Sequence, residues 1–287
     1  MCYLCNSPVK PFLQKNTYTI VRCDSCGLAQ TVLLEDYLRF VKRNYQKGYF
    51  TGDPARSAYV SYKDDKPYIV RNMTKIFRRI QSIKPQGRVL DVGCAMGFFI
   101  ELCLEKGYEV VGFDVSQYAI AEAKQLTGSN RVRVGTIDSV QYKPKSFDAI
   151  TLMDVFEHLE DPRGNIQRLS TFLKDDGILV LATGDTSSFL AKVLKRRWTF
   201  YIPPQHLFFF NGKNLTTLLH QAGFTPITWF RVGKWLSLRY VLHLARTTGE
   251  SRFAKWIYPL IASSRLGKLP LYLPVRDNMV VIAKKSV

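Results

Sequence analysis

The sequence predicts an open α/β fold, a mostly parallel sheet flanked by helices, with a small metal-bound segment at its amino-terminal end. The first observation is a set of three apolar, strand-length runs that end on acidic or glycine residues: RVLDVGCAMGFF from Arg88, EVVGFDVS from Glu109 and SFDAITLMDVFEHLED from Ser146. A parallel sheet presents its ligand-binding edge in this way. The second is the order strand, tight turn, helix, because Phe98 through Lys106 continue the first run with helical spacing. The third is the cysteine spacing C-x2-C-x17-C-x2-C formed by Cys2, Cys5, Cys23 and Cys26.

The cysteines come first in the chain. A four-thiolate zinc site expects a gap of roughly 15–20 residues between its two pairs, and this gap falls inside it. Turn formers follow both pairs, Asn6-Ser7-Pro8 and Gly27, as metal knuckles require. Thiolates would fill all four positions, so the expected Zn²⁺ is structural and leaves no place for water or substrate. The competing reading is two disulfides, which a cytosolic compartment disfavours. Cys103 lies in an apolar run and reads as a small core residue.

In the main domain, Val89 to Gly93 reads as a buried strand running into a glycine turn. Gly93 and Gly97 let the backbone approach a ligand closely, and Asp91 at the strand end could hold a cationic group of that ligand. The second strand ends on Asp114, 23 residues after Asp91, where an acid accepts hydrogen bonds from ribose hydroxyls. The turn is D-x-G-x-x-x-G rather than G-x-G-x-x-G. With these motifs, residues from about Arg88 to about Phe230 resemble class I S-adenosylmethionine-dependent methyltransferases, in particular the ubiquinone-biosynthesis O-methyltransferases and sugar-modifying enzymes.

The resemblance implies a Rossmann-like seven-stranded sheet of order 3-2-1-4-5-7-6 with S-adenosyl-L-methionine as cofactor. It places Asp91, Gly93, Cys94 and Gly97 at the methionine-end turn, Asp114 on the ribose and Val115 against the adenine. Asp138 falls near the adenine amino group, and Met153 joins the cofactor set at the end of the fourth strand. Ala95 stands where family members usually carry glycine.

The fourth strand, Phe147 to Met153, empties into Asp154-Val155-Phe156-Glu157-His158. Methyl transfer from a sulfonium is an in-line displacement, so the chain must align an acceptor and remove its proton. His158, with Glu157 beside it, is the nearest candidate base. The resemblance offers a second use, in which Asp154, Glu157 and His158 bind Mg²⁺, and capping of the next helix is a third. His206, in PPQHLFFF, follows the fifth strand (Gly177 to Ala182) and a loop carrying Lys195, Arg196 and Arg197. The resemblance puts this loop over the acceptor pocket, where His206 serves as base or hydrogen-bond donor; a packed histidine is the alternative. Tyr45, Tyr49 and Phe50 either cover the cofactor from the other side or pack the linker.

Between strand six (Thr225 to Val232) and strand seven (Asn278 to Lys284) lie 45 residues, far beyond a hairpin loop. From Lys234 to Arg246, the residues Arg239, His243 and Arg246 fall on one helical face. Further on, Phe253, Trp256, Ile257, Leu260 and Ile261 fall on another, opposite Arg252 and Lys255. Such helices suit a membrane interface, and a subdomain packed on the sheet is the alternative.

The resulting organisation is a zinc ribbon at 1–35 and a helical linker and cofactor cover at 36–85. A methyltransferase domain follows at 86–232 and 277–287, interrupted by a basic amphipathic insertion at 233–276. With 287 residues, 46% of them hydrophobic, the chain can bury one substantial core and still carry these additions. Net charge is +9 over residues 1–85, −5 over 86–190 and +14 over 191–287, which suggests docking on something anionic. The opening MCYLCNSPVK has no apolar signal core and no window offers the roughly 18 apolar residues of a membrane span. The expected location is therefore cytoplasmic, with peripheral contact at the inner membrane face through 233–276.

The leading expectation is methylation of a small-molecule, sugar or lipid-linked acceptor. An RNA methyltransferase gripping phosphates with the ribbon and basic surface is the main alternative. DVFEHL lacks the Asn-Pro-Pro-Tyr type of motif often used on base amines, so nucleic acid is the less favoured partner. A non-catalytic zinc-ribbon binding protein is a third reading.

Overall fold

The computed structural model describes residues 1–15, 17–52, 60–247 and 251–286. The amino-terminal segment contributes strands β1 (Val9–Lys15), β2 (Tyr18–Cys23) and β3 (Ala29–Thr31), and three helices follow: α1 (Tyr37–Asn44), α2 (Lys47–Thr51) and α3 (Lys66–Ile83). Asp36 caps α1 by accepting from the Arg39 amide, and α3 buries Ile76, Phe77 and Ile80 along one stripe. The alternating units come next: β4 (Arg88–Val92), α4 (Phe98–Glu105), β5 (Glu109–Asp114), α5 (Gln117–Thr127), β6 (Val132–Val134) and β7 (Phe147–Met153). They continue with α6 (Pro162–Phe172), β8 (Leu173–Gly184), α7 (Phe189–Leu194), β9 (Phe208–Phe209) and α8 (Gly212–Gln221). The chain closes with β10 (Phe224–Ser237), α9 (Leu238–Thr247), α10 (Arg252–Ala262) and β11 (Pro270–Lys285).

The main sheet runs β10-β11-β8-β7-β4-β5-β6, parallel except for β11, which is antiparallel to both β8 and β10. Counted from β4, this is the expected 3-2-1-4-5-7-6 order. Helices cover both faces, so the central strands are apolar on both sides. Leu90, Ile150 and Leu152 point into one core, and Val89, Ala149 and Val180 into the other.

The structure departs from the sequence reading in three places. β8 spans twelve residues rather than six, because Leu173 pairs with Phe147 ahead of the apolar run. The ribbon is not a free-standing unit, since β3 pairs with β9 to complete a four-stranded sheet β1-β2-β3-β9, and Cys2, Leu4 and Leu28 share a core with Phe208 and Phe210. Finally, β10 and β11 stay paired beyond the sheet, with Lys234 opposite Leu273 and Ser237 opposite Pro270. The helical part of the insertion therefore starts at Leu238, not Lys234.

On α9 the face that carries Arg239 and His243 is turned inward. Arg239 and His243 are buried, and Arg239 pairs with Asp65 at 3.2 Å and Asp64 at 3.3 Å at the start of α3. The long β10–β11 ribbon carries α9 back over α3, where an acid pair waits for it. In α10 the apolar face is the exposed one: Phe253, Trp256 and Leu260 are 65%, 69% and 69% accessible. Among the described residues no helix is long and apolar enough to cross a membrane.

Candidate functional site

One cavity of about 1490 Å³ runs along the carboxyl edge of the parallel strands. Its floor on one side is the turn after β4. Gly93 has φ +70°, and a Cβ there would lie 2.4 Å from Val155 Cγ2, so only glycine fits. Ala95 takes φ +45°, a conformation that costs a non-glycine residue about 1–2 kcal/mol. What holds it is Asp114, whose Oδ2 accepts the Ala95 amide at 2.9 Å while Oδ1 accepts the Ser116 amide at 2.9 Å. Each oxygen keeps a second lone pair for a ligand hydroxyl.

Of the expected cofactor residues, Gly93, Asp114, Val115, Asp138 and Met153 line this cavity. Asp91, Cys94 and Gly97 do not, and shape it from behind instead. Asp91 is buried and accepts the Thr151 hydroxyl at 2.7 Å. Burial, with the charge of Asp114 added, pushes its carboxyl up to about 7. A carboxyl this enclosed braces β4 against β7 through Thr151. Cys94 is buried and its thiol is pushed upward by burial, and Gly97 caps α4 with φ +78°.

The reacting end lies across the cavity, after β7. A short 3₁₀ turn, Phe156–His158, sets Glu157 and His158 at the sheet edge. His206 meets them from a loop bearing Pro203 and Pro204, with its ring centroid 4.7 Å from that of His158 and 4.2 Å from that of Phe200. Glu157, His158 and His206 each offer a donor atom within 4.8 Å of the others. His158 Nδ1 lies 2.6 Å from the Gln205 carbonyl and His206 Nδ1 lies 2.7 Å from the Phe200 carbonyl. A carbonyl only accepts, so both Nδ1 atoms carry the proton and both Nε2 atoms keep a lone pair. Burial lowers both imidazoles, His206 well below its ordinary value. Burial, reinforced by the nearby Asp154 charge, raises Glu157 to about 8.

Asp154 does not join this group: its Oδ1 accepts Asn278 Nδ2 at 3.0 Å. The expected Mg²⁺ set of Asp154, Glu157 and His158 is therefore not gathered, because a strand-end φ of +53° turns Asp154 toward β11. Tyr45, Tyr49 and Phe50 line the cavity, and the Tyr45 hydroxyl lies 3.0 Å from His158 Nδ1. Sequence reasoning missed Lys234, Asp277 and Asn278, which also line the cavity. No local pattern marks them, since only the paired β10 and β11 bring them there.

The four ribbon cysteines stand within ligand reach of one another, with Cys2 and Cys26 sulfurs 3.5 Å apart and those of Cys5 and Cys23 3.6 Å apart. Hydrogen bonds from Ser7 lower the Cys5 thiol to about 6. The ribbon also reaches the reacting end through backbone. The Thr31 amide donates to the Leu207 carbonyl, its hydroxyl donates to the His206 carbonyl, and the Leu207 amide donates to the Glu157 carbonyl, at 2.8, 2.7 and 2.8 Å.

This fold and edge define a class I S-adenosylmethionine-dependent methyltransferase architecture. Residues 64–228 match the methyltransferase-domain family, and the chain belongs to that family. It is 34% identical over 118 residues to a mitochondrial ubiquinone biosynthesis O-methyltransferase of Schizosaccharomyces pombe, covering 39% of this chain and 42% of that protein. The Pelagibacter ubique enzyme of the same name is 34% identical over 122 residues, covering 40% and 50%. The chain thus spans about half the length of the curated relatives it matches. Among solved structures, an S-adenosylmethionine-dependent methyltransferase from Archaeoglobus fulgidus superposes with a TM-score of 0.52 at 22% identity, covering 88% of this chain and all of that one. Magnesium protoporphyrin IX methyltransferase from Synechocystis, with bound S-adenosylhomocysteine, gives 0.50 at 16% identity, covering 78% and 86%.

Proposed function

We propose that this protein transfers a methyl group from S-adenosylmethionine to a hydroxyl of a polyhydroxylated acceptor. The observation that carries the reading is the juxtaposition, in one cavity, of the Gly93–Asp114 edge with two imidazoles whose Nδ1 atoms are taken by backbone carbonyls and whose Nε2 atoms make no hydrogen bond among the described residues. Asp114 would hold the ribose, Val115 would pack on the adenine, and the Gly93 turn leaves room for the methionine end. When bound, the cofactor supplies an electrophilic methyl group. As the new O–CH3 bond forms and the S–CH3 bond breaks, the acceptor's proton passes to an imidazole Nε2, and burial keeps both rings unprotonated beforehand.

A polyhydroxylated acceptor is supported by two residues of the cavity wall, Asp277 and Asn278, whose Oδ1 atoms are buried without a hydrogen-bond partner among the described residues. Their companion atoms are taken, since Asp277 Oδ2 accepts Trp198 Nε1 at 3.0 Å and Asn278 Nδ2 donates to Asp154. Unpaired buried acceptors call for a ligand that donates, and a sugar does so from several positions.

The same reading assigns structural Zn²⁺ to Cys2, Cys5, Cys23 and Cys26, and peripheral contact with an anionic membrane to α10. There Phe253, Trp256 and Leu260 are exposed beside Arg252 and Lys255, a combination suited to the lipid interface. A lipid-linked sugar would meet both requirements.

The test is incubation with methyl-labelled cofactor and a fractionated cell extract. Label should enter a hydroxylated, glycan-containing or lipid-linked pool, and entry into RNA instead would overturn the acceptor assignment. Sedimentation with anionic vesicles should weaken when Phe253, Trp256 and Leu260 are all changed to Ser; unchanged sedimentation would remove the membrane from the reading.

A further inference from the structure

The cluster at the reacting end has the make-up of a metal site, and not the one that the resemblance implied. Mg²⁺ prefers an octahedron of oxygens, whereas Asp154 is turned away to Asn278 and the residue that joins Glu157 and His158 is His206. Two nitrogens and one carboxylate oxygen suit Fe²⁺, Mn²⁺, Co²⁺, Ni²⁺ or Zn²⁺.

Features beyond proximity support an ion there. Both Nδ1 atoms are pinned by backbone carbonyls of Gln205 and Phe200, the arrangement that fixes tautomer and ring orientation in histidines that bind metal through Nε2. Glu157 is fully buried, its Oε2 accepts the Thr183 hydroxyl at 2.9 Å, and its Oε1 has no hydrogen-bond partner among the described residues. A buried carboxyl oxygen left without a partner is unfavourable in such surroundings unless something positive or donating meets it. Lys234 acts on Glu157 and His206 through its charge, yet makes no hydrogen bond to either among the described residues. Bonds of about 2.1 Å to one ion set ligand atoms roughly 3–3.5 Å apart, and the three residues' donor atoms stand within 4.8 Å of one another before any ion draws them together.

We propose that Glu157, His158 and His206 form a two-histidine, one-carboxylate site for a divalent transition-metal ion, with its remaining positions open to the cavity. The consequence, which rests on the methyl-transfer reading, is that an ion there holds the acceptor hydroxyl and lowers its pKa as a Lewis acid. With the ion bound, His158 and His206 are its ligands and the acceptor proton is lost to solvent water before transfer, so the imidazole-base route belongs to the ion-free site.

The experiment uses the full chain, stripped of metal and reconstituted with one equivalent of Zn²⁺ to fill the thiolate site, followed by titration with Co²⁺. The expected result is one Co²⁺ per chain by elemental analysis, with visible d–d bands and no sulfur-to-cobalt charge transfer. Binding should weaken at least tenfold in His206→Ala and in Glu157→Gln, with cofactor affinity serving as the check on folding. Failure of the wild-type chain to take up a second ion overturns the proposal by itself, as does equal uptake by both variants. Because nothing here is read from turnover, a missing ion leaves methyl transfer standing, and a bound ion without methyl transfer sinks only the reading of the reaction.

Discussion

The two ends of the cavity are built in opposite ways. The cofactor end comes from two adjacent parallel strands, β4 and β5, with Gly93, Ala95 and Asp114 all within 22 residues. It is locked by short backbone-to-carboxylate bonds. The reacting end is assembled from the β7 turn, the His206 loop, Tyr45 of the linker and the β10–β11 extension, and is tied to the ribbon through β3 and β9. A local site can tolerate change elsewhere. A site gathered from distant segments inherits the stability of every segment that delivers a residue.

The sharpest way to break this comparison is at the reacting end. His206→Ala should lower kcat by about 10²- to 10⁴-fold and leave cofactor affinity unchanged by calorimetry. A parallel loss of cofactor binding would mean that the two ends are not separable. Cys23→Ser, which removes one of the four clustered thiols, should disturb the Thr31–His206–Leu207–Glu157 chain of hydrogen bonds and cost about 10²-fold in kcat. Cofactor affinity should again hold, because β4 and β5 make no strand pairing with the ribbon.

At the cofactor end the pattern reverses. Asp114→Asn removes a charged acceptor worth about 1.5–3 kcal/mol, which calorimetry should register as a loss of roughly ten- to a hundredfold in cofactor affinity.

The smallest effect is one of pH. Asp91 has an ordinary value of 3.8 that burial raises to about 7 in the folded chain. The folded state therefore binds the proton more tightly, and the stability this gives is full below pH 3.8 and is lost as pH rises through 7. The slope is at most about 1.4 kcal/mol per pH unit. Asp91→Asn has no such slope, so its melting temperature relative to wild type should climb between pH 5 and pH 7.5 in cofactor-free protein. A constant difference would show that the Asp91 carboxyl is not protonated by burial.

What could be read from the chain follows the same division. Strand β7 falls where the apolar run from Phe147 to Met153 put it, and the four cysteines come together as their spacing foretold, because both signals are carried by neighbours in sequence. The packing of α9 is undecided by the sequence for the complementary reason. Arg239, His243 and Arg246 share a helical face, and nothing local says that Asp64 and Asp65, over 170 residues earlier, will draw Arg239 into the interior.

The sequence by itself determined the parallel sheet, the glycine turn with its paired acid and the thiolate cluster, since periodicity, backbone freedom and ligand spacing are short-range properties. Only the tertiary structure decided that His206 rather than Asp154 stands with Glu157 and His158. It also decided that Asp91 braces the sheet from within and that Asp277 and Asn278 join the cavity wall. Those outcomes depend on which distant segments pack together, and packing is settled by burial and ion pairing across the whole chain rather than by any one stretch of it.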